Sequence, residues 1–346
     1  MRKLRLGVTG SMLIVGMVIL AIYLYFVGFW NVVAVISKLD LRIALAAVAI
    51  DVFCIGLLAY SWKLFLVGGR LGFPLAYEII LVSMFGDMMI PTGSISGEVM
   101  RISITNKRTG ISIGEVTCSV ILHRLLLGVT FGLVLGIAFL SLAVNNMASL
   151  AQIIVFGAIA VGSIVLGVFG LFATFNMKRF DGLIGRWPER LVRVIRFFRR
   201  SIEGERIRAE ITEGRANFER AICLIRRRYI ITSTLLMLAR WFLIALIPYL
   251  MFLSLGYPVS YEFILIISIF LSMVNLMPIG IPGLVGVMEI AMTAVFVGFG
   301  IPADIAVSAT LLTRLVTFWF ELGLGTLGAS LQGVRGLMSV RSGIEK

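Results

Sequence analysis

The chain has 346 residues, 60% of them hydrophobic and only 14% charged, with a formal net charge of +13. A soluble protein of this length needs more polar surface than that composition supplies, so the chain is a membrane protein. Its apolar stretches are continuous, which excludes an outer-membrane barrel. Fifteen of its 31 Lys and Arg residues fall between Met177 and Arg228, a concentration that reads as membrane topology and not as nucleic-acid binding.

In chain order, Arg2, Lys3 and Arg5 precede the apolar run Leu6–Trp30. That run is too long for a signal peptide and lacks a small-residue cleavage site, so it reads as a retained first span. Full spans are expected at 7–30, 41–67, 115–141, 151–176, 229–254 and 304–331. Two further apolar stretches, 75–105 and 261–299, are broken near their middles. The breaks are Ile90-Pro91-Thr92-Gly93-Ser94 and Met277-Pro278-Ile279-Gly280-Ile281-Pro282-Gly283. Proline ends the incoming helix and glycine permits the turn. The pieces on either side, about 15 to 17 residues each, are short for a crossing, so each stretch is expected to be a re-entrant hairpin.

Charge orients the chain. With both termini cytoplasmic, nearly all Lys and Arg fall inside, and the outer connections 142–150 and 255–261 carry none. Lys38 and Arg42 are the exceptions. This works only if each hairpin returns to the side it entered from, and it implies a multi-pass protein of the cytoplasmic (inner) membrane.

A repeat underlies the pattern. Leu71-Gly-Phe-Pro-Leu-Ala-Tyr-Glu78 reappears as Leu255-Gly-Tyr-Pro-Val-Ser-Tyr-Glu262. Pro91 matches Pro278, Gly110-Ile111 matches Gly300-Ile301, and Arg124 and Arg314 each follow their glycine by 14 residues. The expected fold is therefore an all-α polytopic membrane protein with six full spans and two re-entrant helical hairpins, arranged as two inverted repeats. The first repeat is 1–141 and the second 151–331, the latter containing a basic cytoplasmic helical insert at 177–228. A cytoplasmic tail, 332–346, follows. Inverted repeats with broken helices are a transporter architecture.

The charges inside the apolar stretches are the candidate site. Arg124 and Arg314 fall near the middle of their spans, where an arginine is costly and must find an acceptor. Glu98 and Glu289, on the return arms of the hairpins, are the available partners. Two readings coexist: a structural Arg–Glu pair in each half, or a guanidinium site for a phosphate, which Arg binds bidentately. Arg101 is a further candidate. The tips, at Pro91, Gly93, Pro278, Gly280, Pro282 and Gly283, are expected to aim free helix N-termini, starting near Ser94 and Gly283, at an anion. Thr92, Ser94 and Ser96 add hydroxyls. Asp87 and Asn275 stand just before the tips; Asp87 reads either as a carrier of a coupling proton or cation or as a hydrogen-bonded structural acid. Asp51 and Arg240, also mid-span, are a candidate pair.

Other features are less directive. Leu191, Val194, Ile195 and Phe198, interleaved with Arg190, Arg193, Arg196, Arg199 and Arg200, form a basic amphipathic pattern over 190–200 suited to an anionic leaflet, or else part of a solvated helical link. Gly128, Gly132 and Gly136 lie on one helix face, for packing within the chain or in a homodimer. Cys54, Cys118, Cys223 and the lone His123 support neither a disulfide nor a metal site, and no cofactor is expected. No P-loop, nucleophile elbow or HExxH motif is present, so the chain reads as a transporter and not an enzyme.

Two stretches carry a family resemblance. One is Pro91 to Arg124, with Gly97-Glu98-Val99-Met100-Arg101 and His123-Arg124. The other is Pro278 to Arg314, with Pro282-Gly283-Leu284-Val285-Gly286-Val287-Met288-Glu289. Across nearly its whole length the chain resembles the flippase-like transmembrane family that includes the membrane domain of lysylphosphatidylglycerol synthase, the multiple peptide resistance factor. It departs from that pattern at His123, where the family usually has Glu, and at Leu284, where it often has Gly. The resemblance implies movement of an anionic phospholipid or polyprenyl-linked headgroup between leaflets. An ion channel or small-anion transporter using the same site, and a membrane enzyme acting on lipid-linked substrates, are the alternatives.

Overall fold

The computed structural model describes residues 41–67, 71–90, 95–144, 150–180, 204–275 and 280–330, together with isolated positions between 17 and 40. Most of the first expected span, the tip residues Pro91, Thr92, Gly93, Ser94 and Pro278, the basic stretch 190–200 and the tail 332–346 lie outside them.

The described residues build an all-helical bundle. Helix α1, Leu41–Lys63, starts at Asp40, whose carboxylate accepts the Arg42 N–H at 2.9 Å. Helix α2, Phe73–Met89, has Pro74 in its first turn, where the missing N–H is no loss, and stops two residues before Pro91. Helix α3, Ile95–Thr109, ends in Lys107 and Arg108, which suit a helix C-terminus. Helices α4, Ile113–Val144, and α5, Leu150–Phe175, follow. Helix α6, Gly204–Leu224, leads into α7, Arg227–Ser254, α8, Tyr261–Asn275, and α9, Val287–Gly298. The last helix, α10, covers Ala303–Ser330 and contains a π-helical segment at Leu315–Phe320. Among the described residues five helices, α1, α4, α5, α7 and α10, are long and apolar enough to cross a membrane.

The broken stretches form antiparallel helix pairs. In the first pair, a Cβ on Gly86 would strike Met100, and one on Gly97 would strike the Ser83 carbonyl and Asp87. Helices α2, α3, α8 and α9 have 17, 15, 15 and 12 residues. At 1.5 Å per residue none exceeds ~26 Å, short of a ~30 Å hydrocarbon core.

Packing fixes where each pair begins and ends. Leu66, Leu71 and Ile111 share one buried cluster, so α2 and α3 leave and return at the C-terminal end of α1. Phe252, Ile264, Phe296 and Ile301 share another, so α8 and α9 leave and return at the C-terminal end of α7. Helices α1 and α7 are antiparallel: the Asp40 N–H donates to the Ser254 carbonyl at 3.4 Å, while Phe65 clusters with Tyr229 and Ile230. The two pairs therefore open from opposite ends of the bundle.

The second break is longer than the sequence reading placed it. A helix was expected from near Gly283; instead Pro282–Leu284 is a single 3-10 turn and α9 begins at Val287. Gly283, Leu284 and Gly286 have φ of 60°, 51° and 83°, left-handed values that no right-handed helix can include. Both glycines that precede the Arg-bearing helices, Gly110 and Gly300, are also left-handed, with φ of 70° and 88°. The isoleucines that follow them, Ile111 and Ile301, are both buried.

The glycine series on α4 serves packing within the chain at one position. A Cβ on Gly132 would meet the Ala160 carbonyl and Ile164 of α5, and Gly167 of α5 sits equally close to Leu125 and Val129. Close helix approach through small residues is the usual membrane solution.

Candidate functional site

The first helix pair sets Glu98 against Arg124. Glu98 lies in the first turn of α3, and Arg124 is about 17 Å along α4 from Ile113. Their closest approach, Arg124 Nη1 to Glu98 Oε1, is 2.9 Å. Both remain open: the Arg124 side chain is 43% exposed and that of Glu98 26%. Asp87, at the end of α2, feels both Arg101 and Arg124 electrostatically. Two acids and two arginines thus neutralise one another.

The second pair repeats the contact in a closed form. Arg314 Nε donates to Glu289 Oε1 at 2.8 Å, with side chains only 8% and 1% exposed. Arg314 Nη2 donates to the Gly283 carbonyl at 2.8 Å, and the guanidinium lies 4.3 Å from the Phe318 ring centroid. Glu289 Oε2 accepts the Gly286 N–H at 2.7 Å. Arg314 therefore clamps the 3-10 turn and the start of α9 together. Its Nε and Nη2 are committed, which sets Arg314 apart from the more exposed Arg124.

The expectation of free helix N-termini at the tips also changes. Asp87 Oδ1 accepts the Gly97 N–H at 2.7 Å and the Ser96 hydroxyl at 3.2 Å. In α9 the Gly286 N–H is taken by Glu289. A protein carboxylate takes one N–H at the start of each return helix, as an N-terminus inside an apolar bundle requires. Asp87 thus acts as the cap of the return helix.

Arg101 is enclosed. Its guanidinium stacks 5.1 Å from the Trp62 ring centroid, Nη2 reaches the Ser83 hydroxyl at 3.4 Å, and Nε has no hydrogen-bond partner. His123, buried beside Arg124, shares a hydrogen bond between Nε2 and the Ser61 hydroxyl at 3.0 Å. Asn275 is the last residue of α8. Gly280 has φ of 83° and leads into the turn at Pro282. That turn packs against α2, so the two broken segments meet in the bundle.

A third polar centre was only half anticipated. Asp51 on α1 is fully buried and interacts electrostatically with Arg240 on α7, but its carboxyl faces that of Glu321 on α10. Sequence reasoning missed Glu321. The available signal was an acid between Phe320 and Leu322, seven residues after Arg314.

A bundle of apolar helices with charged groups held against broken segments defines an integral membrane protein. The chain belongs to the family described as the lysylphosphatidylglycerol synthase TM region, whose profile matches residues 12–325. It is 27% identical over 334 residues to a UPF0104 membrane protein of Pyrococcus horikoshii, covering 91% of this chain and 94% of that one. A UPF0104 membrane protein of Methanothermobacter thermautotrophicus is 24% identical, with 91% and 90% covered.

Proposed function

We propose that the protein moves an anionic lipid headgroup, of a phospholipid or a polyprenyl-phosphate-linked lipid, between the leaflets of the cell membrane. The observation that carries this reading is the exposed guanidinium of Arg124, set deep along an apolar helix and held by Glu98 through one nitrogen. An arginine at such depth needs an anionic partner, and a phosphate offers it a bidentate one. Membership of a family named for a lipid synthase's membrane region supports a lipid as the source of that phosphate.

In this reading α2–α3 and α8–α9 are re-entrant hairpins and the two halves are inverted repeats, with cytoplasmic termini and the basic stretch 190–200 against the anionic leaflet. Support comes from the short helices and from the opposite ends at which the two pairs open. Glu98 keeps Arg124 oriented and compensates its charge until a headgroup displaces it, while Arg314 and Glu289 hold the opposing turn rigid. Acyl chains stay in the bilayer as the headgroup crosses.

The test is a headgroup-accessibility assay in vesicles carrying labelled phosphatidylglycerol. Wild-type protein is expected to move the label between leaflets and Arg124→Ala to lose that movement. Equal movement by both proteins would overturn the assignment of Arg124. Conductance without lipid movement would favour a channel.

A further inference from the structure

The buried centre formed by Asp51, Glu321 and Arg240 is not used by the lipid site. Asp51 and Glu321 are both buried and lie within hydrogen-bonding reach of each other, on α1 and α10. Among the described residues, neither carboxylate oxygen of Asp51 meets a donor. Two ionised carboxylates can only accept, so contact between them requires a proton on one of the two. Arg240 supplies one positive charge, and its buried Nε has no acceptor. Two acids and one arginine balance when exactly one proton is added, and an uncompensated charge in an apolar bundle is costly.

The remaining groups that face the centre are few. Arg314 acts on Glu321 from two turns away along α10. Cys54 of α1 and Tyr77 of α2 feel both carboxyls, and Tyr77 donates its hydroxyl to the Val52 carbonyl at 3.3 Å. His123 of α4 faces Arg240 but is committed to Ser61.

We infer that Asp51, Glu321 and Arg240 form a proton-binding site with two states. In the loaded state one proton bridges the two carboxyls, as the structure shows them placed. On its release the carboxylates repel, and the free Nε of Arg240 turns to them as the replacement partner. The proton leaves as a hydronium to water on one side of the membrane and is regained from the other; no bond besides O–H is made or broken.

The geometry gives this exchange a route to the transport machinery. Leu315–Phe320, the π-helical segment, lies between Glu321 and Arg314 on the same helix. Such segments are rare and gather at functional sites. Rotation of Glu321 would reach the Arg314 clamp on Gly283 and Glu289, and with it the second hairpin. The coupling of proton to lipid rests on the function proposed above; the site itself does not.

Two measurements on the full-length protein test it. Infrared spectroscopy of the purified protein at neutral pH should show the band of one neutral buried carboxyl, lost in both Asp51→Asn and Glu321→Gln. No such band in the wild type, or its survival in both variants, overturns the site. In vesicles with labelled phosphatidylglycerol, an imposed pH gradient should accelerate wild-type lipid movement. The double variant Asp51→Asn/Glu321→Gln, whose amides can still hydrogen-bond, should lose the acceleration. Lipid movement indifferent to a pH gradient, or driven instead by a sodium gradient, overturns the coupling and leaves the lipid reading standing. Absence of any lipid movement by the wild type overturns the lipid reading and with it the coupling, and the infrared band still decides the proton site.

Discussion

Arg314 and Glu289 form a 2.8 Å ion pair sealed inside the bundle, and each also holds backbone of the second break: the Gly283 carbonyl and the Gly286 N–H. Removing one partner of such a pair leaves a buried charge and one orphaned backbone group, the Gly283 carbonyl or the Gly286 N–H. Arg314→Ala and Glu289→Ala are each expected to destabilise the protein by about 3–5 kcal/mol. Thermal melting in detergent checks this, and melting close to the wild-type temperature would deny the clamp.

Arg124 should behave in the opposite way. Its pair with Glu98 is open, and exposed pairs contribute about 1 kcal/mol or less. Arg124→Ala is therefore expected to melt within a few degrees of wild type while losing lipid movement. Arg124→Lys keeps the charge but not the planar fork, so partial movement at a higher lipid concentration is expected. Vesicle assays at several label densities read the difference.

Much of this site was legible in sequence because its signals are local. Pro91, Pro278 and their neighbouring glycines mark the breaks without reference to the rest of the chain. Glu98–Arg124 and Glu289–Arg314 followed from depth in the span and from the repeat. Their unequal burial did not, because it depends on which side chains close over each pair: Phe318 covers Arg314, whereas Arg124 stays 43% exposed. Glu321 was missed for a similar reason: Asp51 and Glu321 stand at opposite ends of the chain, and only tertiary packing brings them together. The late start of α9 was hidden by Leu284, a residue with no local preference for the left-handed backbone it adopts.

Asp87 can be separated from a proton carrier by chemistry. As a cap it needs only a side-chain acceptor for the Gly97 N–H, which asparagine also supplies. Asp87→Asn is expected to keep stability and pH-gradient dependence, whereas Asp87→Ala should lose about 1 kcal/mol. Loss of gradient dependence in a well-folded Asp87→Asn protein would move the proton site to the first hairpin.

Gly97 offers the sharpest steric test of that hairpin. A Cβ there would run into the Ser83 carbonyl and the Asp87 carboxylate, one of them backbone that cannot swing aside. Helix α3 would have to move away from α2, taking Glu98 with it and breaking the cap. Gly110 is the control: a Cβ there meets open space, but the residue sits at φ of 70°, where a side chain costs roughly 1–2 kcal/mol. Gly110→Ala is thus expected to lower the melting temperature modestly and leave lipid movement intact. Gly97→Ala should lose both stability and movement, since it displaces the carboxylate that orients Arg124. Melting and vesicle assays on the two variants separate backbone strain from loss of hairpin packing; a Gly97→Ala protein that melts and transports as the wild type does would mean that α2 and α3 do not approach this closely.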